Sequence, residues 1–398
     1  MNYPAFRLPW TTDTVPHAVL DILRGCNIRC RDCYNLRPDY IKTLEEIEEQ
    51  LDTLMRLRKL DSVSIVGGEV TLHPDLVEIV RRVRQRGLFA ELFTNGVDLD
   101  DRLLTQLKQA GVNVIFLHIE PSQRRPDLPT DATAKDLARL RVEKAALVAA
   151  HGIEVGLAVT AYPEKLEELE ASIAFTLESP HVCYLLVTWW RDVRRMPNLT
   201  GDLTAGMVAG AEEVRSRCPQ NEVRPLELCR WLEQRFQLAP FGFLGSNLDP
   251  TDPHWLSVMV TAVHQQGELS CRGSLRATWV ERVFLEANRR LTGRYPFYQA
   301  QRPGLLRFHL LLNGLAGGGL SRNAELLKYA NRPGAKLSAK RLLFQWPASL
   351  DKLGRVVHCQ CCPDAVLKNG ALVPLCISDR VTTRSLTGQE KVPDRAQV

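Results

Sequence analysis

Residues 24–35 read RGCNIRCRDCYN. Three cysteines, Cys26, Cys30 and Cys33, fall within eight positions, with three residues in the first gap and two in the second. Just ahead lies the apolar, β-branched run AVLDIL (18–23), which predicts a strand. The thiols therefore sit at the strand's C-terminal end, where α/β sheets and barrels carry their chemistry. Thiolates are soft ligands that suit zinc, copper(I) or iron–sulfur clusters. Zinc usually takes four ligands in two separated pairs, and no further Cys or His stands nearby in sequence. An iron–sulfur cluster fits the spacing; a zinc knuckle and incidental thiols are the alternatives.

Working outward, the first half of the chain alternates strands and helices. Apolar runs follow at 62–66 (SVSIV), 90–93 (AELF), 112–119 (VNVIFLHI), 153–160 (IEVGLAVT) and 183–190 (CYLLVTWW). Near-continuous apolar runs are expected of parallel strands covered on both faces. Between them, Leu44, Ile47, Leu51 and Leu54 form one helical stripe over 44–58. That helix opens with Glu45, Glu46, Glu48 and Glu49 and closes with Arg56, Arg58 and Lys59, an order that suits the helix dipole. Further helices are expected from Pro74 to Gly87 and over 99–110, 134–151 and 163–178. Six strand–helix units predict an α/β fold, a partial (β/α)6 TIM-like barrel over residues 15–195; a doubly wound sheet has the same periodicity. RRMPNLTGDLT (194–204) reads as a linker. Residues 200–345 predict a mostly helical substrate or cap region, with helices at 203–217, 225–237, 275–292, 303–315 and 322–331. A cysteine-rich, metal-binding segment (346–380) and a loose polar tail (381–398) follow.

The chain has 398 residues and eleven cysteines, a net charge of +5 and 45% hydrophobic residues. This is an ordinary globular composition without the concentrated basic patch that nucleic acid calls for. The most apolar stretch, LLRFHLLLNGLAGGGL (305–320), holds Arg307, His309, Asn313 and four glycines, so no membrane span is expected. The N-terminus has no signal-peptide pattern, and the expected location is the cytoplasm, where cysteines serve as thiols or ligands.

The triplet Cys26, Cys30 and Cys33 after a first strand resembles the radical S-adenosylmethionine superfamily. IVGGEVTLHPDL (65–76), after the second strand, is similar to that family's GGEPTLHPDL segment, and FTNG (93–96) ends the third strand as it often does there. The resemblance covers roughly residues 15–195. It implies that the three cysteines hold three irons of a 4Fe-4S cluster, the fourth iron binding S-adenosylmethionine. Gly67 and Gly68 would let the backbone approach the methionine part, and Glu69 would accept from its ammonium. Thr94 and Asn95 would face the cofactor, or simply close the turn at Gly96. The implied chemistry is one-electron cleavage of S-adenosylmethionine by a flavodoxin- or ferredoxin-type donor. The resulting 5′-deoxyadenosyl radical takes a hydrogen atom from a small-molecule, lipid or peptide substrate. Two departures stand out: Asp32 replaces the usual aromatic before the third cysteine, and Val70 the usual proline.

HCQCCPDAVLKNGALVPLC (358–376) is a second cysteine group. Asn369-Gly370 is a strong hairpin turn signal. With that turn, Lys368 faces Ala371, Leu367 faces Leu372, and Pro363 faces Cys376. The hairpin thus gathers Cys359, Cys362 and Cys376, with Cys361 as a fourth. A second iron–sulfur cluster, as radical enzymes of this type often carry, is the leading reading; zinc with His358 or Cys361, or buried thiols, are the others. His118 and Glu120 share one face at the fourth strand's end and point to cofactor ribose or substrate, or cap the barrel mouth. Gln123, Arg124 and Arg125 suggest an anionic group or a solvated loop. Trp189, Trp190 and Arg191 suggest pocket lining or core. Cys183, Cys218, Cys229 and Cys271 lack ligand spacing and read as inert. The rival from another class is a non-catalytic metal-binding or interaction protein on the same barrel; intact Cys26, Cys30, Cys33 and Glu69 speak against it.

Overall fold

The structure is a computed structural model. It describes residues 5–31, 33, 35, 40–121, 123–191, 199–200, 223–298, 301–368 and 370–382. The six expected strands are present as His17–Leu23, Ser62–Gly67, Phe89–Thr94, Val114–Leu117, Glu154–Ala161 and Val182–Trp189. They pair in parallel in sequence order. The helices between them, Leu44–Leu57, Leu76–Gln85, Asp101–Ala110, Ala134–Ala150 and Leu166–Glu178, lie within two or three residues of the expected bounds. Thr43 caps the first helix, with Glu46 closing a reciprocal capping box, and Ile47, Leu51 and Leu54 are fully buried beneath it. This is the partial barrel the sequence predicts.

The helices expected in the second half are there as Pro225–Phe236, Trp279–Thr292, Pro303–Asn313 and Leu320–Ala330; the one expected over 203–217, and most of the 194–204 linker, lie outside the described residues. Strands that the sequence reading passed over accompany them. Gly242–Gly245, Pro253–Gln265, Glu268–Leu275 and Ala335–Gln345 join the barrel sheet, and with Phe6–Arg7 and the C-terminal hairpin strands Ala365–Lys368 and Ala371–Pro374 they make thirteen strands in one sheet. The 200–345 segment is thus structurally continuous with the barrel. Ala335–Gln345 runs parallel to the sixth barrel strand, with Arg341 opposite Tyr184. The buried Lys340 fixes this join by donating to the carbonyls of Thr176, Ser179 and Val182 at 2.9, 2.6 and 2.7 Å. Three acceptors offset the desolvation of its ammonium.

At the other edge, the hairpin Ala365–Lys368/Ala371–Pro374 docks on the first barrel strand, Val366 pairing in parallel with Val19. Its register is the expected one, Lys368 opposite Ala371 and Leu367 opposite Leu372; Asn369 lies outside the described residues. Residues 346–364 therefore bridge the two edges of the open barrel, from the strand beside the sixth to the strand beside the first. That bridge carries Cys359, Cys361 and Cys362 across the barrel's gap. Buried Arg58 pins it, donating to the carbonyl of Cys362 at 2.9 Å and to that of His17 at 2.7 Å.

His17 starts the first strand fully buried, between Ser62 Oγ (2.7 Å) and Ser64 Oγ (3.0 Å), and stacks on Phe297 with ring centroids 4.3 Å apart. Burial, helped by the Arg58 and Arg341 charges, lowers its pKa to about 3. Since the folded value lies below the free value of 6.5, the unfolded chain takes the proton first as pH falls, and stability is lost from pH 6.5 toward 3. Glu91, held by Ser64, acts in the opposite sense, because burial raises it to about 7. Comparing wild type with His17→Gln isolates the histidine. Between pH 7.5 and about 5, thermal melts should show wild type losing about 2 kcal/mol more than the variant. Parallel melting curves would refute the buried neutral imidazole.

Candidate functional site

The Cys26–Cys33 loop leaves the first strand and is held from three sides. Gly68 N donates to Leu23 O at 2.9 Å and Glu69 N to Gly25 O at 2.8 Å. Arg29–Cys30 pairs antiparallel with Gln123–Arg124. Asn95 Nδ2 donates to Asn27 Oδ1 at 2.7 Å, and Asn27 Nδ2 to Asp98 at 2.6 Å.

Gly67 and Gly68 prove necessary for a nearer reason than cofactor approach. A Cβ on Gly68 would stand 2.1 Å from Gly25 O, and one on Gly67 would stand 2.5 Å from Leu23 O. Glycine lets the second strand's end lie against the backbone that leads into the cysteine loop.

Glu69 has a structural role as well. Its side chain is 0% exposed. Oε1 accepts from Thr71 N (3.1 Å), Thr71 Oγ1 (2.8 Å) and Thr94 Oγ1 (2.6 Å), and Oε2 from Asn95 N (2.7 Å). The carboxylate is committed to four protein donors and clamps the second strand end to the third. Thr94 and Asn95 serve the turn, through Gly96 N to Thr94 Oγ1 and Val97 N to Asn95 Oδ1, and also reach the cavity.

That cavity, about 680 Å³, runs through the barrel interior. Cys26, Cys30 and Cys33 line it together with Gly67, Gly68, Thr94 and Asn95, and so do Cys359, Cys362 and Cys376. The two cysteine groups approach it from opposite ends of the first strand. Cys26 lies just past Leu23, whereas Arg58 ties the Cys362 backbone to His17 at the strand's start.

The donor chemistry of both groups fits metal. Burial, then the neighbouring Cys33 and Cys26, pushes the Cys30 thiol up to about 12, and Cys26 rises through burial, Glu69 and Cys33. A cation bound in this loop would favour the thiolate form of Cys26 and Cys30 that burial disfavours. Burial likewise pushes Cys376 up to about 12, with Cys362 adding to it. Among the described residues, no three His, Cys, Asp or Glu side chains are drawn into finished metal-holding geometry.

Cys361 packs with Cys359 and Cys362 but is oriented differently from them. It adopts a left-handed φ of +52°, and its sulfur faces Thr12 Oγ1 at 4.0 Å instead of the cavity. His358 orients its Nδ1 toward Cys359 O at 3.0 Å. A residue the sequence reading did not single out is His254, 7% exposed and on the wall of the cavity that Cys359 and Cys362 also line. Its Nε2 has no hydrogen-bond partner among the described residues. It stands on Pro253–Gln265, a strand absent from the sequence-based prediction, so no spacing could reveal it.

The weaker candidates separate cleanly. His118 Nε2 meets Glu120 Oε2 at 3.2 Å and both line the cavity, while Ile119 between them is core. Burial alone would lower His118, but the Glu120 carboxylate raises it overall. Arg125 is no solvated loop residue. It is buried, paired with Asp127 at 2.8 Å, and donates to Asn95 O at 2.9 Å. Gln123 is buried too, and Arg124 is exposed. Trp189 packs against Trp346 with centroids 6.3 Å apart, Trp190 stacks on Tyr162, and these rings, with Trp255 and Arg191, form the cavity wall. Cys183 and Cys229 are buried free thiols, Cys271 is half-buried, and Cys218 lies outside the described residues.

Residues 20–176 match the model of the Radical SAM superfamily. That superfamily uses a 4Fe-4S cluster and S-adenosylmethionine. Similar relatives include an Fe-coproporphyrin III synthase of Methanosarcina barkeri, 25% identical over 197 residues, which are 46% of this chain and 46% of the relative. A PqqA peptide cyclase of Ruegeria pomeroyi is 28% identical over 180 residues, covering 43% of this chain and 46% of that one. Among solved structures, Streptococcus suis SuiB bound to S-adenosylmethionine aligns over 58% of this chain and 49% of its own, with 14% identity and a TM-score of 0.37. The chain spans about half the length of these relatives.

Proposed function

We propose that the protein is a radical enzyme with two metal centres facing one substrate cavity. Cys26, Cys30 and Cys33 would hold the 4Fe-4S cluster, and Cys359, Cys362 and Cys376 a second iron–sulfur centre with His254 Nε2 as fourth donor. The carrying observation is that both cysteine groups line the same cavity of about 680 Å³, a size in the range of cofactor and substrate pockets. With cluster and S-adenosylmethionine bound, the chemistry supplied is one-electron cleavage of the sulfonium and removal of a hydrogen atom from substrate carbon.

The chain's own residues position and shield. Glu69 fixes the two strand ends that border the cysteine loop. Trp189, Trp255 and Trp346 give the wall its apolar character and keep water from the reacting groups. His118, paired with Glu120, offers a polar contact at the mouth. The apolar wall favours a substrate that inserts an apolar or ring-bearing group, as a peptide side chain, a lipid or a cyclic metabolite would. An external donor of flavodoxin or ferredoxin type supplies the electron.

Protein purified without oxygen should contain about eight iron and eight sulfide per chain and, once reduced, release 5′-deoxyadenosine from S-adenosylmethionine. About four iron with one zinc would assign the second centre to zinc instead. His254→Ala should leave the thiol-bound iron in place but change the electron paramagnetic resonance signal of the second centre. An unchanged signal would remove His254 from the ligand set.

A further inference from the structure

Between the strands Glu268–Leu275 and Ala335–Gln345 the chain leaves the sheet in the helices Trp279–Thr292, Pro303–Asn313 and Leu320–Ala330. The first two leave large apolar side chains facing outward. In Trp279–Thr292 the buried residue is Glu281, while Trp279, Val283 and Phe284 are 65%, 58% and 51% exposed. In Pro303–Asn313, Leu306, Leu310 and Asn313 turn inward, and Leu305 and Phe308 stand more than half exposed. Nine of the fifteen exposed large apolar side chains among the described residues fall between 279 and 320, so they form a local surface and not the usual scatter.

An amphipathic helix ordinarily turns its apolar face toward the core. Here a polar knot joins the helices instead. Glu281 accepts from His309 Nε2 at 2.7 Å, Asn313 Nδ2 at 2.8 Å and Thr278 Oγ1 at 2.6 Å. The region is also fixed to the barrel. Arg294 Nη1 donates to Leu60 O at 3.0 Å, and Phe297 N to Asp61 Oδ2 at 2.8 Å. The apolar face is therefore held outward by specific bonds.

Charge identifies the partner. From Arg276 to Arg332 the sequence has nine arginines and one lysine against three glutamates, in a chain whose whole net charge is +5. Two of those glutamates are engaged, Glu281 in the knot and Glu286 with Arg289 and Arg290. Arg276, Arg282, Arg290 and Arg302 are exposed around the apolar residues. Among the described residues no helix is long and apolar enough to cross a membrane. Helices of fourteen and eleven residues instead suit the plane of an interface, with Trp and Phe at headgroup depth and arginines on lipid phosphates.

We infer that this face docks on the surface of an anionic lipid bilayer. A second copy of the chain is disfavoured, because it would bring the same surplus of positive charge to the contact. The inference is independent of the metal centres.

The test uses full-length protein and vesicles of phosphatidylcholine alone or with about one third phosphatidylglycerol. The protein should sediment with the anionic vesicles and stay in solution with the neutral ones. Raising salt from about 0.1 to about 0.5 M should release it. Trp279→Glu combined with Phe308→Glu should weaken vesicle binding by about tenfold or more. The melting temperature should stay unchanged, because both side chains already face water. Equal sedimentation with both vesicle types, none with either, or full binding by the double variant would each overturn the inference. So would a dimer by light scattering that the double variant dissolves, since that would assign the face to a second copy.

Discussion

Replacing Cys26, Cys30 and Cys33 together by alanine should abolish release of 5′-deoxyadenosine while leaving about half of the iron bound. The fall should exceed about 1,000-fold, or roughly 4 kcal/mol of barrier, because a second centre held by four protein ligands has no open iron for S-adenosylmethionine. The prediction is sharp because the fold does not depend on these thiols. Cys26 and Cys33 are exposed and Cys30 half-buried, so their loss opens no core void. Thermal stability of the metal-free protein should change by less than about 1 kcal/mol. Iron lost entirely, with activity gone, would mean that the C-terminal cysteines hold no iron of their own. Cleavage surviving in the triple variant would end the radical reading altogether.

The barrel was legible because its strands are covered on both faces and so appear as unbroken apolar runs. The hairpin was legible to the residue, since Asn369-Gly370 dictates its own register. What escaped was the closure of the sheet by the second half. Ala335–Gln345 reads AKLSAKRLLFQ, and Lys336, Lys340 and Arg341 break any apolar pattern. Lys340 is buried all the same, its ammonium satisfied by three carbonyls that are far away in sequence. A buried cation announces itself only once its partners are known. The orientation of Cys361 escaped for a related reason. The spacing Cys-x-Cys-Cys treats neighbouring thiols as equivalent, yet a left-handed residue turns one of them out. His254 carried no signal, because its strand precedes the cysteines by about a hundred positions and meets them through the sheet.

Glu69 holds two strand ends together in the structure and is expected from the resemblance to accept from the cofactor's ammonium, and its substitution separates the two roles. The short helical turn Val70–Leu72 begins at Glu69 and drops the carboxylate onto Thr71, Thr94 and Asn95. Glu69→Ala should leave those donors without an acceptor and lower stability by about 3 kcal/mol or more, with the second and third strand ends parting and iron loading reduced. Glu69→Gln is the more telling variant. One amide oxygen can keep the three bonds that Oε1 accepts, but the NH2 must then face Asn95 N, donor against donor. Stability should fall by about 1–3 kcal/mol, and binding of S-adenosylmethionine should weaken alongside it. A carboxylate serving chiefly the cofactor's ammonium predicts the opposite split, with binding lost and the metal-free protein melting as wild type does. Calorimetric melts of the metal-free variant, paired with anaerobic titration of the reconstituted one, decide between a clamp that builds the site and a ligand that merely lines it.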